Sequence, residues 1–180
     1  RMVAGTLEAQ QPGDAGNRDR TLQRCAPERS LVSVLHEFMA DPTPVRELPA
    51  YEWLELRNIG NQSVQLDGWR VNDAGGASGP FPAVELEPDS FLIVCGSTAS
   101  SYMQPYGRVI SVTAFPSLDN SGDIIYLTDA TGNIVHSLSY NTSWYANSVK
   151  EDGGWTLEMV DRMNICGGSE NWKASINESG

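Results

Sequence analysis

The chain has 180 residues, of which 40% are hydrophobic and 19% charged, a composition that supports a hydrophobic core and excludes a wholly disordered chain. There are 12 Lys and Arg against 23 Asp and Glu, giving a net charge of −11. This disfavours a basic nucleic-acid-binding protein, because affinity for phosphate comes mainly from Lys and Arg. No apolar stretch approaches the roughly 20 residues that cross a bilayer, so we expect no membrane span.

The first thirty residues differ in composition from the rest. Residues 10–20 are polar and without periodicity, and the chain begins at Arg1 without the charged head and apolar run of a signal peptide. We interpret residues 1–30 as a linker or the end of a preceding domain in a longer protein. Residues 31–180 form the folded domain, and their 7 Lys and Arg and 19 Asp and Glu give this part a net charge of −12.

From Leu31 onward, short β-rich runs alternate with clusters of Gly, Pro, Asn and Asp, which is typical of an all-β protein. The clearest period-two alternation lies in residues 134–140. The continuous apolar run Phe91–Cys95 predicts a strand that is covered on both faces. Seven or eight short strands in about 150 residues favour a β-sandwich. In chain order we predict strands over residues 31–38, 51–58, 64–72, 91–95, 108–113, 123–129, 133–140 and 155–160.

Five motifs follow one another in a characteristic order. The most recognisable is Leu66-Asp67-Gly68-Trp69, within the block of residues 51–71, and blocks at 81–94 and 115–135 come after it. Together these three blocks resemble the lamin tail domain, the immunoglobulin-like module named after the nuclear lamins. The two other motifs, at residues 36–44 and 153–175, are similar to the bacterial, Bacteroides-like branch of that family.

The resemblance implies an all-β fold, an immunoglobulin-like β-sandwich of the lamin-tail type. Trp69, on the third predicted strand, is then expected to anchor the core between two sheets. The pairs Leu54/Leu56 and Ile125/Leu127 are expected to supply facing apolar rows.

No acid–base pair, metal cluster or nucleophile triad can be recognised in the sequence, so we expect a non-catalytic function. We expect a binding or architectural module of a larger secreted or cell-surface protein, outside the cytoplasm, that contacts a protein or a glycan on the cell surface. The alternative is a nucleic-acid-associated module or an accessory domain of a nuclease or hydrolase. The net charge of −12 over residues 31–180 disfavours direct contact of this domain alone with phosphate.

Enzyme motifs are missing from the sequence. It contains no Gly-x-Ser-x-Gly, His-Glu-x-x-His or Cys-x-x-Cys, so we predict no catalytic residue, no metal ligands and no cofactor. The family usually has Asn at the position of His36 and Asp at that of His136. Because both histidines lie on strand faces with apolar neighbours, we interpret them as structural residues with hydrogen-bonded rings.

Two loops carry side chains that bind ligands in other proteins. Asp119–Asp123 brings several oxygen ligands together, as Ca²⁺ requires, but lacks the order of an EF-hand. A turn shaped by Asn120 and Gly122 explains it better. Trp144 and Tyr145 lie on a polar segment between two strands, where they serve either as contact rings for a partner or as packing residues; the sequence leaves both alternatives open.

The three cysteines are Cys25, Cys95 and Cys166. The secreted context implied by the family would allow a disulfide bond, and Cys95–Cys166 is the pair that we expect. The alternative of three free thiols remains open, since the sequence does not give the distance on which the bond depends.

Overall fold

A computed structural model describes residues 33–178 and Gly180. The part of the chain predicted to be a linker, residues 1–30, lies outside the described residues. The described residues are mostly strands and turns, with a four-residue α-helix, α1 (Ser100–Met103), and 3₁₀ turns at Gln104–Tyr106, Thr142–Tyr145 and Gly168–Asn171. The strands are β1 (Val34–Met39), β2 (Trp53–Arg57), β3 (Val64–Gln65), β4 (Arg70–Asn72), β5 (Glu85–Leu86), β6 (Phe91–Gly96), β7 (Val109–Val112), β8 (Gly122–Thr128), β9 (Ile134–Asn141), β10 (Leu157–Met159) and β11 (Trp172–Ala174).

The strands form two layers, as the predicted β-sandwich requires. One layer is a six-stranded sheet in the order β11-β10-β1-β2-β6-β7, and the other is a three-stranded sheet in the order β4-β8-β9, with β3 and β5 as a separate pair. Among the described residues, β6 and β7 pair in parallel and the other strand pairs are antiparallel. Parallel neighbours need a crossover connection, which here contains α1. No helix in the described part of the chain has the length and apolarity needed to cross a bilayer.

The main hydrophobic core lies between the two layers. Leu54 and Leu56 from β2 pack in the same cluster as Ile125 and Leu127 from β8, and all four side chains are fully buried. Trp69 belongs to this cluster as well. The predicted core anchor and the predicted apolar rows are therefore confirmed.

A second hydrophobic cluster covers part of the outer face of the six-stranded sheet. Ile93 and Cys95 from β6 pack there against Met103 of α1, whereas Leu92 and Val94 of the same strand face the main core. The apolar run Phe91–Cys95 is thus covered on both faces over most of its length, as predicted. The exception is Phe91, at the start of the strand, which is exposed.

The predicted strand over residues 64–72 is wrong in one respect, because it is two strands. Gly68 adopts a left-handed φ of +77° and Trp69 N donates to the Leu66 carbonyl, at 3.1 Å, so the chain turns between them. β3 then pairs with β5, while β4 pairs with β8 in the three-stranded sheet. The sequence pattern also missed β5 and β11, which are too short to show an alternation.

Candidate functional site

A β-bulge in β1 decides which side chains reach the outer face of the six-stranded sheet. Leu35 pairs with Leu56, but the next pair is Glu37 with Glu55, so His36 is an extra residue in β1. A bulge of this kind redirects the side chains around it. Leu35 and Phe38 remain in the main core, and His36 and Glu37 lie next to Glu55.

His36 is held by two contacts. Its Nδ1 lies 3.1 Å from Oε1 of Glu55, and both side chains are about one-fifth exposed. Its ring packs edge-on against Phe91, with the ring centroids 5.1 Å apart. The predicted structural role of His36 is consistent with these contacts, but they place the imidazole at the surface, beside a carboxylate, and not within the core.

Three carboxylates form a row across the same sheet. Glu37 in β1 pairs with Glu55 in β2 on one side and with Glu158 in β10 on the other. Directly opposed side chains of neighbouring strands lie about 5 Å apart, and like charges in such pairs destabilise a sheet. Beyond Glu158, the row continues to Lys173 in β11. The sheet therefore carries an arrangement of negative charge that costs it stability.

These carboxylates line a cavity of about 260 Å³ on the outer face of the sheet. We call this cavity the acidic pocket. Its lining includes apolar and aromatic side chains as well as residues of the C-terminal segment. Besides Glu37, Glu55 and Glu158, its lining consists of Leu48, Trp53, Ile93, Met103, Tyr106, Ser175, Asn177 and Gly180.

The surroundings in the pocket shift the pKa of Glu37, the carboxyl group at the centre of the row. The pKa of Glu37 is raised to about 7, mainly because burial penalises the charged form, and the carboxylates of Glu55 and Glu158 add to the rise. Groups with such shifts are enriched at functional sites, although structural charge clusters also produce them.

Trp53 lines the pocket and has a hydrogen-bond donor without an acceptor. The residue is only 4% exposed, and among the described residues its Nε1 has no hydrogen-bond partner. A buried indole N–H usually has an acceptor. Three carboxylates and a tryptophan with an unused donor therefore line the same pocket.

The two predicted contact rings lie elsewhere. Trp144 and Tyr145 are part of the 3₁₀ turn after β9 and are 8% and 5% exposed. The Trp144 ring lies 6.3 Å from that of Trp172, measured between centroids, and burial raises the pKa of Tyr145 to about 12. The structure favours the packing alternative for both rings and does not bring them into the acidic pocket.

His136 has the structural role that the sequence predicted. Its Nδ1 accepts a hydrogen bond from the backbone of Leu35, at 3.2 Å, and its Nε2 lies 3.4 Å from the carbonyl oxygen of Ile165. Burial lowers its pKa to about 4, so the neutral ring is favoured. This histidine joins β9 to β1 across the sandwich.

The acidic segment Asp119–Asp123 forms a turn. The carboxylate of Asp119 accepts hydrogen bonds from the backbone and the hydroxyl of Ser121, at 2.9 and 2.8 Å. These bonds lower the pKa of Asp119. The oxygens are used within the loop, as the explanation of this segment as a turn requires.

The prediction of a disulfide between Cys95 and Cys166 is wrong. Cys95 is a free, fully buried thiol whose Sγ lies 3.8 Å from the Ile110 carbonyl, whereas Cys166 is disulfide-bonded. The alternation of β6 turns Cys95 to the outer face of the sheet, under α1. Cys166 follows Ile165, which packs in the main core. Cys25 lies outside the described residues.

The residues of the acidic pocket were not singled out by the sequence. One signal was available, since the predicted inward positions Leu54 and Leu56 leave Glu55 on the opposite face of β2. Glu37 and Glu158 are likewise charged residues within apolar strands. The two glutamates come together because of a bulge and because Glu37 pairs with Glu158, 121 positions further along the chain. Neither feature can be predicted from local periodicity.

The family model of the Lamin Tail Domain matches residues 33–142. The chain belongs to the lamin tail domain family. This family consists of immunoglobulin-like domains with binding and architectural roles, and it is a non-catalytic family. No curated protein matches the chain. Within this lamin tail domain, His36, Glu37 and Glu55 lie in the matched segment, whereas Glu158 comes from the strands that follow it.

Proposed function

We propose that this lamin tail domain is a non-catalytic binding or architectural module of a larger secreted or cell-surface protein, and that it contacts a protein or a glycan through the acidic pocket. The observation that carries the proposal is the row of Glu37, Glu55 and Glu158 along an open cavity. Such a row lowers the stability of the sheet, so a role in recognition gives a reason for it.

The chemistry of the pocket defines the kind of group that fits. Ionised carboxylates only accept hydrogen bonds, so they suit the hydroxyl groups of sugars and the ammonium or guanidinium groups of Lys and Arg. The ring of Tyr106, which is half exposed at the edge of the pocket, adds an apolar face. A phosphate or a sialic-acid carboxylate would meet like charge here.

Several features support a binding role over catalysis. The described residues that line the acidic pocket include no Lys or Arg, so the pocket offers no cationic side chain to stabilise an oxyanion. Membership of a non-catalytic family also supports a binding role. For the proposed location outside the cytoplasm, the support is the disulfide bond at Cys166, because disulfides persist mainly in oxidising compartments.

An array experiment tests this proposal. The full 180-residue chain is probed against neutral oligosaccharides, Lys/Arg-rich peptides, acidic glycans and duplex DNA, together with Glu158→Gln and a control, Asp67→Asn, at an exposed position outside the pocket. We expect binding to neutral glycans or basic peptides that falls at least tenfold in Glu158→Gln and is unchanged in the control. Binding to DNA alone that weakens steeply with salt, or ligand binding that Glu158→Gln leaves intact, would overturn it.

A further inference from the structure

We infer that His36, Glu37 and Glu55 form a site for one divalent transition-metal ion, with zinc as the best match. Each residue offers one ligand atom, an imidazole nitrogen or a carboxylate oxygen, and these atoms all lie within 4.8 Å of one another. The inference goes beyond the proposed function and does not depend on it. A metal-free pocket and a metal-bound pocket could both recognise a partner.

The distances suit a tetrahedral ion after small side-chain movements. Zinc binds nitrogen and oxygen at about 2.0–2.2 Å, so neighbouring ligand atoms of a tetrahedral site lie about 3.3 Å apart. Nδ1 of His36 and Oε1 of Glu55 are already 3.1 Å apart. The farthest pair must approach by at most about 1.5 Å, which rotation of a Glu side chain provides without movement of the backbone.

The three ligands lie on rigid, adjacent positions. His36 and Glu37 belong to the bulge of β1, and Glu55 lies opposite them in β2, in the middle of the six-stranded sheet. Sites that are built on strands hold their ligands more accurately than sites on loops. The bulge is the feature that brings two consecutive side chains of one strand to the same carboxylate.

Charge compensation is incomplete around the cluster. In the described residues, Asp89 forms ion pairs with Arg57 and Arg162, whereas Glu37, Glu55 and Glu158 form no ion pair with Lys or Arg. A divalent cation held by two carboxylates and a neutral imidazole would be neutralised by its ligands. The carboxylate of Glu158 would then lie next to the metal site as a further hydrogen-bond acceptor.

Trp53 supplies a second, independent observation. The residue lines the same pocket, and its buried Nε1–H has no acceptor among the residues that the structure describes. An ion with three protein ligands keeps a further position for water or for an atom of a partner. A ligand oxygen atom that reaches the indole N–H would satisfy this donor, so the unused donor is consistent with a bound ligand.

The ligand set selects the class of metal. Imidazole together with carboxylates suits zinc and its transition-metal neighbours, whereas Ca²⁺ takes six to eight oxygen ligands and Mg²⁺ prefers oxygen and water. The two carboxylates supply too few oxygen atoms for a strong Ca²⁺ site, and the imidazole supplies none. We therefore expect zinc to bind and Ca²⁺ and Mg²⁺ to compete poorly.

Calorimetric titration with ZnCl₂ tests the inference on the full chain after removal of metal by a chelator. We expect one ion per chain, binding at least tenfold weaker in His36→Gln and in Glu55→Gln, and unchanged binding in the control Glu87→Gln, whose carboxylate is exposed. Titration with Co²⁺ should give the intense visible absorption of a tetrahedral site. Circular dichroism shows whether each variant folds, and Glu37→Gln replaces any variant that does not.

Two results would overturn the zinc site: no binding to the wild-type chain, or zinc binding that the folded ligand variants leave unchanged. The second result would place the ion elsewhere. Since the array experiment uses Glu158→Gln, which is not one of the three ligands, the zinc site and the proposed function can fail separately.

Discussion

The backbone N–H of Gly154 donates a hydrogen bond to the carbonyl oxygen of Asp41, at 2.7 Å. This bond joins two of the five sequence motifs, residues 36–44 and 153–175. The same motifs meet again in the sheet, where Phe38 pairs with Leu157. Two segments more than a hundred positions apart are therefore one structural unit, which supplies Glu37 and Glu158 to the acidic pocket.

Gly154→Ala should destabilise this unit. Gly154 has a φ of +77°, and a Cβ there would collide with the carbonyl oxygen of Pro44. The left-handed backbone alone costs an L-residue about 1–2 kcal/mol, so we expect the free energy of unfolding to fall by at least about 2 kcal/mol. Urea denaturation measures this change in the free energy of unfolding. The control is Gly76→Ala, where a Cβ has open space, and equal midpoints for the two variants would contradict the prediction.

Trp144→Ala should unfold much of the population or lower the melting temperature strongly. The ring is buried in the main core, and truncation of a core aromatic residue to Ala costs about 3–5 kcal/mol. Chemical denaturation followed by circular dichroism gives the change in free energy. Met163→Ala, at a side chain that is 85% exposed, is the control. A Trp144 variant as stable as this control would return the ring to the role of a surface contact.

Glu52 should make stability depend on pH. Its pKa is raised to about 7, chiefly by burial and further by the carboxylates of Asp41 and Asp123. Because the folded state holds this proton more tightly than the unfolded state, the contribution of Glu52 is full below about pH 4.5 and is lost as the pH rises through about 7. The group is only half-buried, so screening limits the loss to about 1–2 kcal/mol.

The variant Glu52→Gln isolates this effect. It should be more stable than the wild type at pH 8, with the difference disappearing at pH 4, because the amide resembles the protonated carboxyl and does not titrate. Denaturation midpoints at the two pH values are the measurement, and Glu85→Gln, at an exposed carboxylate, is the control. An advantage of equal size at both pH values would mean that the charge of Glu52 is not the cause.

The two cysteines within the described residues should react differently with an alkylating reagent. Burial raises the pKa of Cys95 to about 11, so the folded protein should protect this thiol. In denaturant without a reductant, we expect mass spectrometry to find the Cys95 peptide alkylated and the Cys166 peptide unmodified until a reductant is added. Alkylation of Cys166 without reduction would show that its disulfide is not formed.

Much of the sandwich was predictable because it depends on local patterns. Alternation in β2 and β8 placed Leu54, Leu56, Ile125 and Leu127 on inward faces, and the Gly-Trp motif placed Trp69 in the core. The predictions were wrong or incomplete where the sequence pattern of a strand was short or ambiguous. A single glycine split one predicted strand into β3 and β4, and the burial of Trp144 depends on Trp172, which comes from a strand of three residues.

By itself, the sequence determined the fold class, the family, the inward rows and the acidity of the domain, since composition, alternation and motif order are local properties of the chain. Only the tertiary structure decided that Glu37 lies between Glu55 and Glu158, that His36 joins them, and that Cys95 stays unpaired. The physical reason is that strand register, a bulge and thiol geometry depend on which distant segments pack together, and periodicity along the chain does not encode that choice.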